Sequence, residues 1–248
     1  MNRIGFLTFL LSAVTLFPQL AQAQGQSNRA WRNDVFLYGL ASSISGDAQL
    51  GGPVQLPVDV SFSDILDNLQ MGFMGGYRGS SERFSVVADV IYLGLGNSSD
   101  TGLVRRADLD QLIVDVTGGY RFSSIVEAFA GLRVTDLSTK VGLEDPVITE
   151  LEGSDTFYDP VVGVRVLTPL SQNGRWWLQA RGDIGGFGAS MDFTWQAMAN
   201  VGFKPAEWIS IFGGYRAIGQ DFKDAGGSER FSLDVTYYGP LFGLGFHF

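Results

Sequence analysis

Beyond an apolar N-terminal run, apolar and polar side chains alternate along this chain with a period of two. Leu112, Val114, Val116, Gly118, Tyr120 and Phe122 enclose Ile113, Asp115, Thr117, Gly119 and Arg121. Phe84, Val86, Ala88, Val90 and Tyr92 repeat the pattern, as do Val126, Ala128, Ala130, Leu132 and Val134. So do Trp176, Leu178, Ala180, Gly182 and Ile184, and Phe193, Trp195, Ala197, Ala199, Val201 and Phe203. In each stretch one face is apolar or small and the other carries charge, amide or hydroxyl groups. Successive strand side chains point to opposite faces, so this is the pattern of a half-buried strand. It predicts strands near 31–45, 70–79, 83–96, 108–123, 126–144, 155–171, 175–188, 190–206, 207–222 and 230–248.

A soluble sandwich alternates in the same way, so other features must choose. Very short connections at 79–82, 123–125, 171–174 and 204–207 alternate with longer polar ones at 46–69, 97–107, 145–154 and 223–229. Only the connection near Ala189 breaks the rule. Short turns at one end and long loops at the other are the asymmetry of a membrane-spanning barrel. Many of the strands exceed the ~5–6 residues usual in globular sheets, whereas tilted membrane strands need ~9–11. Aromatics sort by height, as rings that favour the headgroup level do. Trp31, Tyr77, Phe84, Tyr120, Trp176, Phe203, Trp208 and Phe248 fall near the short-turn end. Phe73, Tyr92, Phe157, Phe187, Phe193, Phe222 and Phe231 fall nearer the long loops.

Composition narrows the reading further. Among 248 residues there is no Cys and one His, at His247, which excludes a disulfide framework and thiolate or His-rich metal sites. No cofactor is expected. With 26 acidic against 17 basic residues the chain is unsuited to nucleic acid, whose phosphates attract basic surfaces. Arg3 precedes an apolar run over 4–17, followed by Pro18 and the small-x-small site Ala21-Gln22-Ala23. As a helix that run reaches only ~21 Å at ~1.5 Å per residue, short of a ~30 Å hydrocarbon core. The expected organisation is therefore a cleaved export signal over 1–23 and one barrel over 24–248. Losing Arg3 takes the net charge from −9 to −10.

The chain ends Gly239-Pro240-Leu241-Phe242-Gly243-Leu244-Gly245-Phe246-His247-Phe248, with Phe242, Leu244, Phe246 and Phe248 in one phase. This resembles the C-terminal signature strand of Gram-negative outer-membrane proteins, which the barrel assembly machinery recognises. Earlier in the strand Phe231, Leu233, Val235 and Tyr237 carry the opposite phase, which predicts a β-bulge near 238–240. The segment 58–69, Val-Asp-Val-Ser-Phe-Ser-Asp-Ile-Leu-Asp-Asn-Leu, is the second familiar piece. Together they look like a broad family of Gram-negative outer-membrane β-barrels, small barrels of the OmpA or opacity kind in the broad sense. The resemblance implies a cell outer-membrane location, contact with outer-membrane lipid, and passage through periplasmic chaperones and the assembly machinery. It brings no active-site residues with it.

Two constellations are candidates for function. Phe62, Ile65, Leu66 and Leu69 follow helical spacing behind Ser61, with Asp64 three residues on as in a capping box. That predicts a short helix over 61–69, either a lid or plug entering the barrel mouth or a helix packed on its rim. By strand parity Asp89, Asp115, Glu127, Asp159, Asp183, Asp192 and Asp234 face inward, with Arg78, Arg121, Arg133, Arg165, Arg181 and Arg216. Near balance of sign favours an internal salt-bridge network, because a selective pore shows one dominant sign. Gly-Gly-Tyr-Arg occurs at 75–78, 118–121 and 213–216, each with Tyr outward and Arg inward. His247 reads as a strand residue rather than a catalytic base, so no catalytic residue and no enzyme is expected.

The expected molecule is an all-β, up-and-down antiparallel barrel of ten strands, with eight and twelve as alternative counts. An even number is usual in such barrels, and ten strands can close within a monomer. Two roles follow: a non-enzymatic envelope barrel acting through its loops, or a narrow porin-like passive channel.

Overall fold

The computed structural model describes residues 31–50, 55–98, 104–143, 150–223 and 231–248. The expected leader over 1–23 and much of the connections 97–107, 145–154 and 223–229 lie outside the described residues.

The elements in chain order are β1 (Arg32–Leu40), β2 (Ser43–Leu50), β3 (Gln55–Val60), α1 (Phe62–Asp67), β4 (Leu69–Ser80), β5 (Phe84–Ser98) and β6 (Val104–Arg121). They continue with β7 (Val126–Leu143), β8 (Glu150–Pro169), β9 (Trp176–Gly186), β10 (Phe193–Ala206), β11 (Ile209–Lys223) and β12 (Phe231–His247). All described pairings are antiparallel between neighbours, and β1 also pairs with β12, so the sheet closes. β1 and β2 lie end to end against the two halves of β12 and form one wall. β3 pairs with β2 and β4 with β1, so these two form the second wall. Ten walls therefore close the barrel. Closure leaves no strand edge, which is what a hydrocarbon environment demands.

Two expectations about the strands need correction. The connection 46–69 is not a loop throughout: β2 continues to Leu50, and β3 returns along it before α1 begins. The bulge expected near 238–240 is absent. β12 keeps one register with β11 from Ser232 to Phe246, and Val235, Leu241 and His247 all face inward. The ladder is instead interrupted on the facing wall at Ala41 and Ser42, opposite Gly239 and Pro240. Pro240 has no N–H to donate there, and its carbonyl accepts from the Ala41 N–H at 2.9 Å.

The side-chain distribution is inverted relative to a water-soluble protein. Phe73, Phe84, Trp176, Trp208, Ile211, Phe242 and Phe248 are exposed, Phe248 at 76%. Arg133, Asp159, Arg165 and Arg216 are buried. On β6, β7 and β8 the outward positions are apolar or small over 112–122, 126–134 and 158–166. Each run matches the ~9–11 residues a tilted strand needs to span a bilayer. Beyond it the outer surface turns polar, where Thr156 donates to Asp136 at 2.7 Å. At ~3.3 Å per residue and ~45° tilt a strand as long as β8 rises roughly 45 Å. The walls therefore project well past a ~30 Å core on the long-loop side.

Edge-on ring contacts gather near the short turns: Phe84 with Tyr120 at 5.4 Å and Tyr120 with Phe122 at 5.1 Å. Phe157 and Phe222 depart from the expected second belt. They sit in the phase of Asp159 and Arg216, so they face inward and meet edge to face at 5.0 Å. The short connection near Ala189 is a tight turn in which Gly186, Phe187 and Gly188 all take positive φ.

Candidate functional site

The lumen is filled in layers, and the order of residues along each strand sets their heights. Nearest the short turns, His247 on β12 has Nδ1 2.6 Å from Asp34 Oδ1 on β1 and Nε2 3.0 Å from Ser210 Oγ on β11. Next comes an apolar cluster of Trp177, Phe212 and Leu241, with Phe36 and Met198 against it. At a similar height Glu127 on β7 accepts from Arg78 Nη2 at 2.6 Å and also pairs with Arg165. The Arg165 and Arg181 guanidiniums lie 4.7 and 5.0 Å from the ring centre of the inward Phe129.

The middle layer crosses the lumen. Arg133 on β7 is 0% exposed and donates from Nε to Asp115 Oδ1 at 2.8 Å. Its Nη2 reaches Asp183 on β9 at 2.9 Å, and its Nη1 reaches Thr194 on β10 at 3.0 Å. Arg181 binds the same two carboxylates, Asp115 at 2.8 Å and Asp183 at 2.7 Å. Arg216 on β11 is 1% exposed and reaches Asp89 on β5 at 2.9 Å, Tyr38 on β1 at 2.7 Å and Gln196 on β10 at 2.8 Å. Tyr38 donates to Asp89 at 2.9 Å. A guanidinium suits this role because its planar fork binds a carboxylate at two points.

Above this layer the lumen turns apolar again. Ile91, Ile113 and Ile218 pack together. Gln111 then donates to Tyr237 at 2.9 Å, and Gln220 to Thr135 at 3.1 Å. Ile65 of α1 is buried among Ile44, Leu93 and Val235. The helix starts as expected. Ser61 caps it, and the Asp64 side chain accepts from the Ser61 backbone N–H at 3.0 Å. The Ser61 hydroxyl, donating to the Asp64 carboxylate at 2.6 Å, and then the Ser61 backbone N–H favour the ionised form and hold the exposed Asp64 carboxyl below its ordinary range. Of the expected apolar face only Ile65 is buried; Phe62, Leu66 and Leu69 are exposed, and Leu69 already belongs to β4.

The structure thus brings Asp115, Arg133, Arg181 and Asp183 into one cluster, joined through Gln196 to Arg216 and Asp89, and sets Arg78, Glu127 and Arg165 in a second cluster beside it. Asp159 is also buried, but it accepts from the Met191 backbone N–H at 2.8 Å and so anchors the 187–192 turn. Three expected members lie elsewhere. Arg121 sits at the short-turn rim, 3.4 Å from the Glu82 carbonyl. Asp192 is exposed in the turn before β10. Asp234 is exposed because β12 has no phase change, so its neighbour Val235 takes the inward position. Phe242, Leu244, Phe246 and Phe248 share the opposite, outward face of β12.

The uncharged members, Tyr38, Thr194, Gln196 and Ser210, were legible only through parity, since no charge marks them. The repeated Gly-Gly-Tyr-Arg also acquires a physical reason. Its second glycine faces inward where backbone or side-chain atoms of a neighbouring wall leave little room for a Cβ. A Cβ would lie 3.3 Å from Asp89 Oδ2 at Gly76, 2.6 Å from Glu127 Oε1 at Gly119 and 2.2 Å from Asn200 Oδ1 at Gly214.

Apolar side chains outside, ion pairs inside and complete strand closure decide the class of architecture. The fold is that of a bacterial outer-membrane β-barrel. The protease OmpT of Escherichia coli aligns over 90% of this chain and 99% of its own, with a TM-score of 0.58 and 8% identity. Ail, the attachment invasion locus protein of Yersinia pestis, covers 88% and 98% at 12% identity and a TM-score of 0.41. The translocator domain of the autotransporter NalP from Neisseria meningitidis covers 96% of each chain at 12% identity and a TM-score of 0.44. The shared fold rests on the first of these. No family model and no curated protein sequence matches the chain.

The Ser210–His247–Asp34 arrangement has the order of a hydrolase triad, which the sequence did not signal because the three lie on different walls. Its setting differs from that of a hydrolase. Ser210 is 0% exposed, and a nucleophile must reach a substrate atom at about 3 Å. The three residues stitch β11, β12 and β1 together where the barrel closes.

Proposed function

We propose that this chain is an integral outer-membrane barrel that neither conducts nor catalyses, and that it contributes to envelope structure or surface contacts through its projecting long-loop side. One observation carries the reading: the Arg133–Asp115–Asp183–Arg181–Gln196–Arg216 layer crosses the lumen and is buried throughout. Arg133, at the centre of the layer, is 0% exposed and so has no contact with solvent. In this reading the outward apolar band meets outer-membrane lipid. The outward face of Phe242, Leu244, Phe246 and Phe248 is what the assembly machinery reads.

Burial of Ile65 favours a second reading, a narrow channel closed by the 61–69 segment. The two readings part on one experiment. In a planar bilayer the purified barrel is expected to show no discrete current steps, and deletion of 61–68 is expected to leave it silent, because the ionic layer remains. Steps appearing only in the deletion variant would establish the plugged channel instead; steps in the full-length chain would end the sealed reading.

A further inference from the structure

Between the apolar cluster and the ionic layer lies a cavity of about 70 Å³. At about 10–15 Å³ for each water-sized occupant it holds a guest of roughly five non-hydrogen atoms. Its charged lining is one-sided: Arg78, Arg165, Arg181 and Arg216 against Asp89 alone. Asp115, Glu127 and Asp183, which partner these arginines, are not part of that lining. Phe36, Trp177, Met198, Phe212 and Leu241 supply an apolar side.

The same lining residues carry an unusual concentration of buried polar atoms with no hydrogen-bond partner. Arg165 Nη2, Arg216 Nε, Gln196 Nε2 and Trp177 Nε1 are four such donors, and Asn200 Oδ1 is the one such acceptor. Buried polar groups in native proteins are nearly always paired, and leaving one unpaired is costly. These donors belong to residues that line the cavity but are themselves closed off from it, so a guest reaches them only as the side chains turn toward it; the four lining guanidiniums favour an acceptor-rich, negatively charged guest.

We propose that this cavity is a binding site for a small aliphatic carboxylate of propionate size. The carboxylate sits among the lining guanidiniums and draws the free arms of Arg165 and Arg216, and the Gln196 and Trp177 N–H groups, round to it as acceptor. The short alkyl end lies against Phe212 and Leu241. A guest with one charged end and one apolar end matches a lining divided in the same way, whereas a bare halide would leave the apolar side unused.

The test is calorimetric titration of the complete folded barrel in detergent micelles with sodium propionate, in chloride-free buffer at constant ionic strength. A parallel titration uses sodium chloride. Saturable one-site binding of propionate, with chloride much weaker, is expected. Arg165→Lys keeps a cation beside Glu127 but removes the free Nη2, and should weaken propionate about tenfold, the scale of one charge-assisted hydrogen bond. Its heat-modifiable migration should stay that of the parent. Trp177→Phe, which deletes only the indole N–H and part of the ring, should weaken binding as well. Absence of saturable propionate binding to the parent, equal binding of chloride, or parent-like affinity in folded Arg165→Lys and Trp177→Phe would each overturn the proposal.

Discussion

Replacing Arg133 by Met asks how dry the middle of the lumen is. Met keeps much of the side-chain length and removes every donor. The change deletes the paired bonds to Asp115 at 2.8 and 3.2 Å, and those to Asp183 at 2.9 Å, Thr194 at 3.0 Å and Gln196 at 3.1 Å. Asp115 and Asp183 do not become orphans, because Arg181 still holds both. Each nevertheless loses one of two guanidinium partners at a site without water access. Breaking a buried pair from one side costs about 3–5 kcal/mol, whereas an exposed pair is worth about 0–1 kcal/mol. With a urea slope of about 2 kcal/mol/M, the buried case shifts the unfolding midpoint by roughly 2 M. Equilibrium unfolding of the micelle-embedded barrel, followed by tryptophan fluorescence, measures it. Asp115→Asn alone should also destabilise, and the double variant should lose less than the sum of the singles by about 1 kcal/mol or more. A single-variant loss below about 1 kcal/mol, or simple additivity, would mean that water screens the network and the lumen is open at that height.

Three further outcomes are expected. Asp64 titrates below its ordinary range in the folded chain, so its capping contribution is complete above about pH 4 and is lost as pH falls through the lowered value. Amide exchange over 62–67, corrected for intrinsic rates, should therefore rise on acidification, and Asp64→Asn should abolish that dependence. Gly214→Ala places a Cβ 2.0 Å from the Ala199 carbonyl and should destabilise by about 1–3 kcal/mol, while Gly213→Ala, whose nearest neighbour is the Leu241 carbonyl at 3.6 Å, should be nearly neutral. Equal effects in thermal unfolding would contradict the steric account. Ser210→Ala should leave hydrolysis of p-nitrophenyl esters at the background level of the parent; an activity in the parent that vanished in this variant would make the seam residues catalytic.

Strand parity made most of the lumen legible, because a period of two is enforced at every residue of a closed sheet. Arg78, Asp115, Glu127, Arg133, Arg165, Arg181, Asp183 and Arg216 all fall where alternation puts them. Parity separates inside from outside only when the two differ in polarity, and above the ionic layer the lumen mixes apolar side chains such as Ile91, Ile113, Ile218 and Val235 with Gln111, Gln220 and Thr135. Val235 and Phe157 therefore look outward by composition although they point in, and a phase change in β12 is needed only if every inward position is polar. Arg121 and Asp192 lie at strand ends, where the rim meets water and either face tolerates charge. The Asp34–His247–Ser210 set joins walls separated by most of the chain, and no local spacing could announce it.

The bond between Tyr38 and Arg216 spans 178 residues of sequence, and that between Arg216 and Asp89 spans 127. Until β12 zips against β1, Arg216 can meet Gln196 on the neighbouring strand and Tyr38 can meet Asp89 on its own side of the open ring, but the two halves of the network cannot join. An open ring thus leaves part of this network to solvent, and its dehydration is completed only as the ring seals. Such a timetable discourages partly inserted forms from lingering in hydrocarbon, since an unclosed intermediate would have to drag naked guanidinium and carboxylate groups into oil.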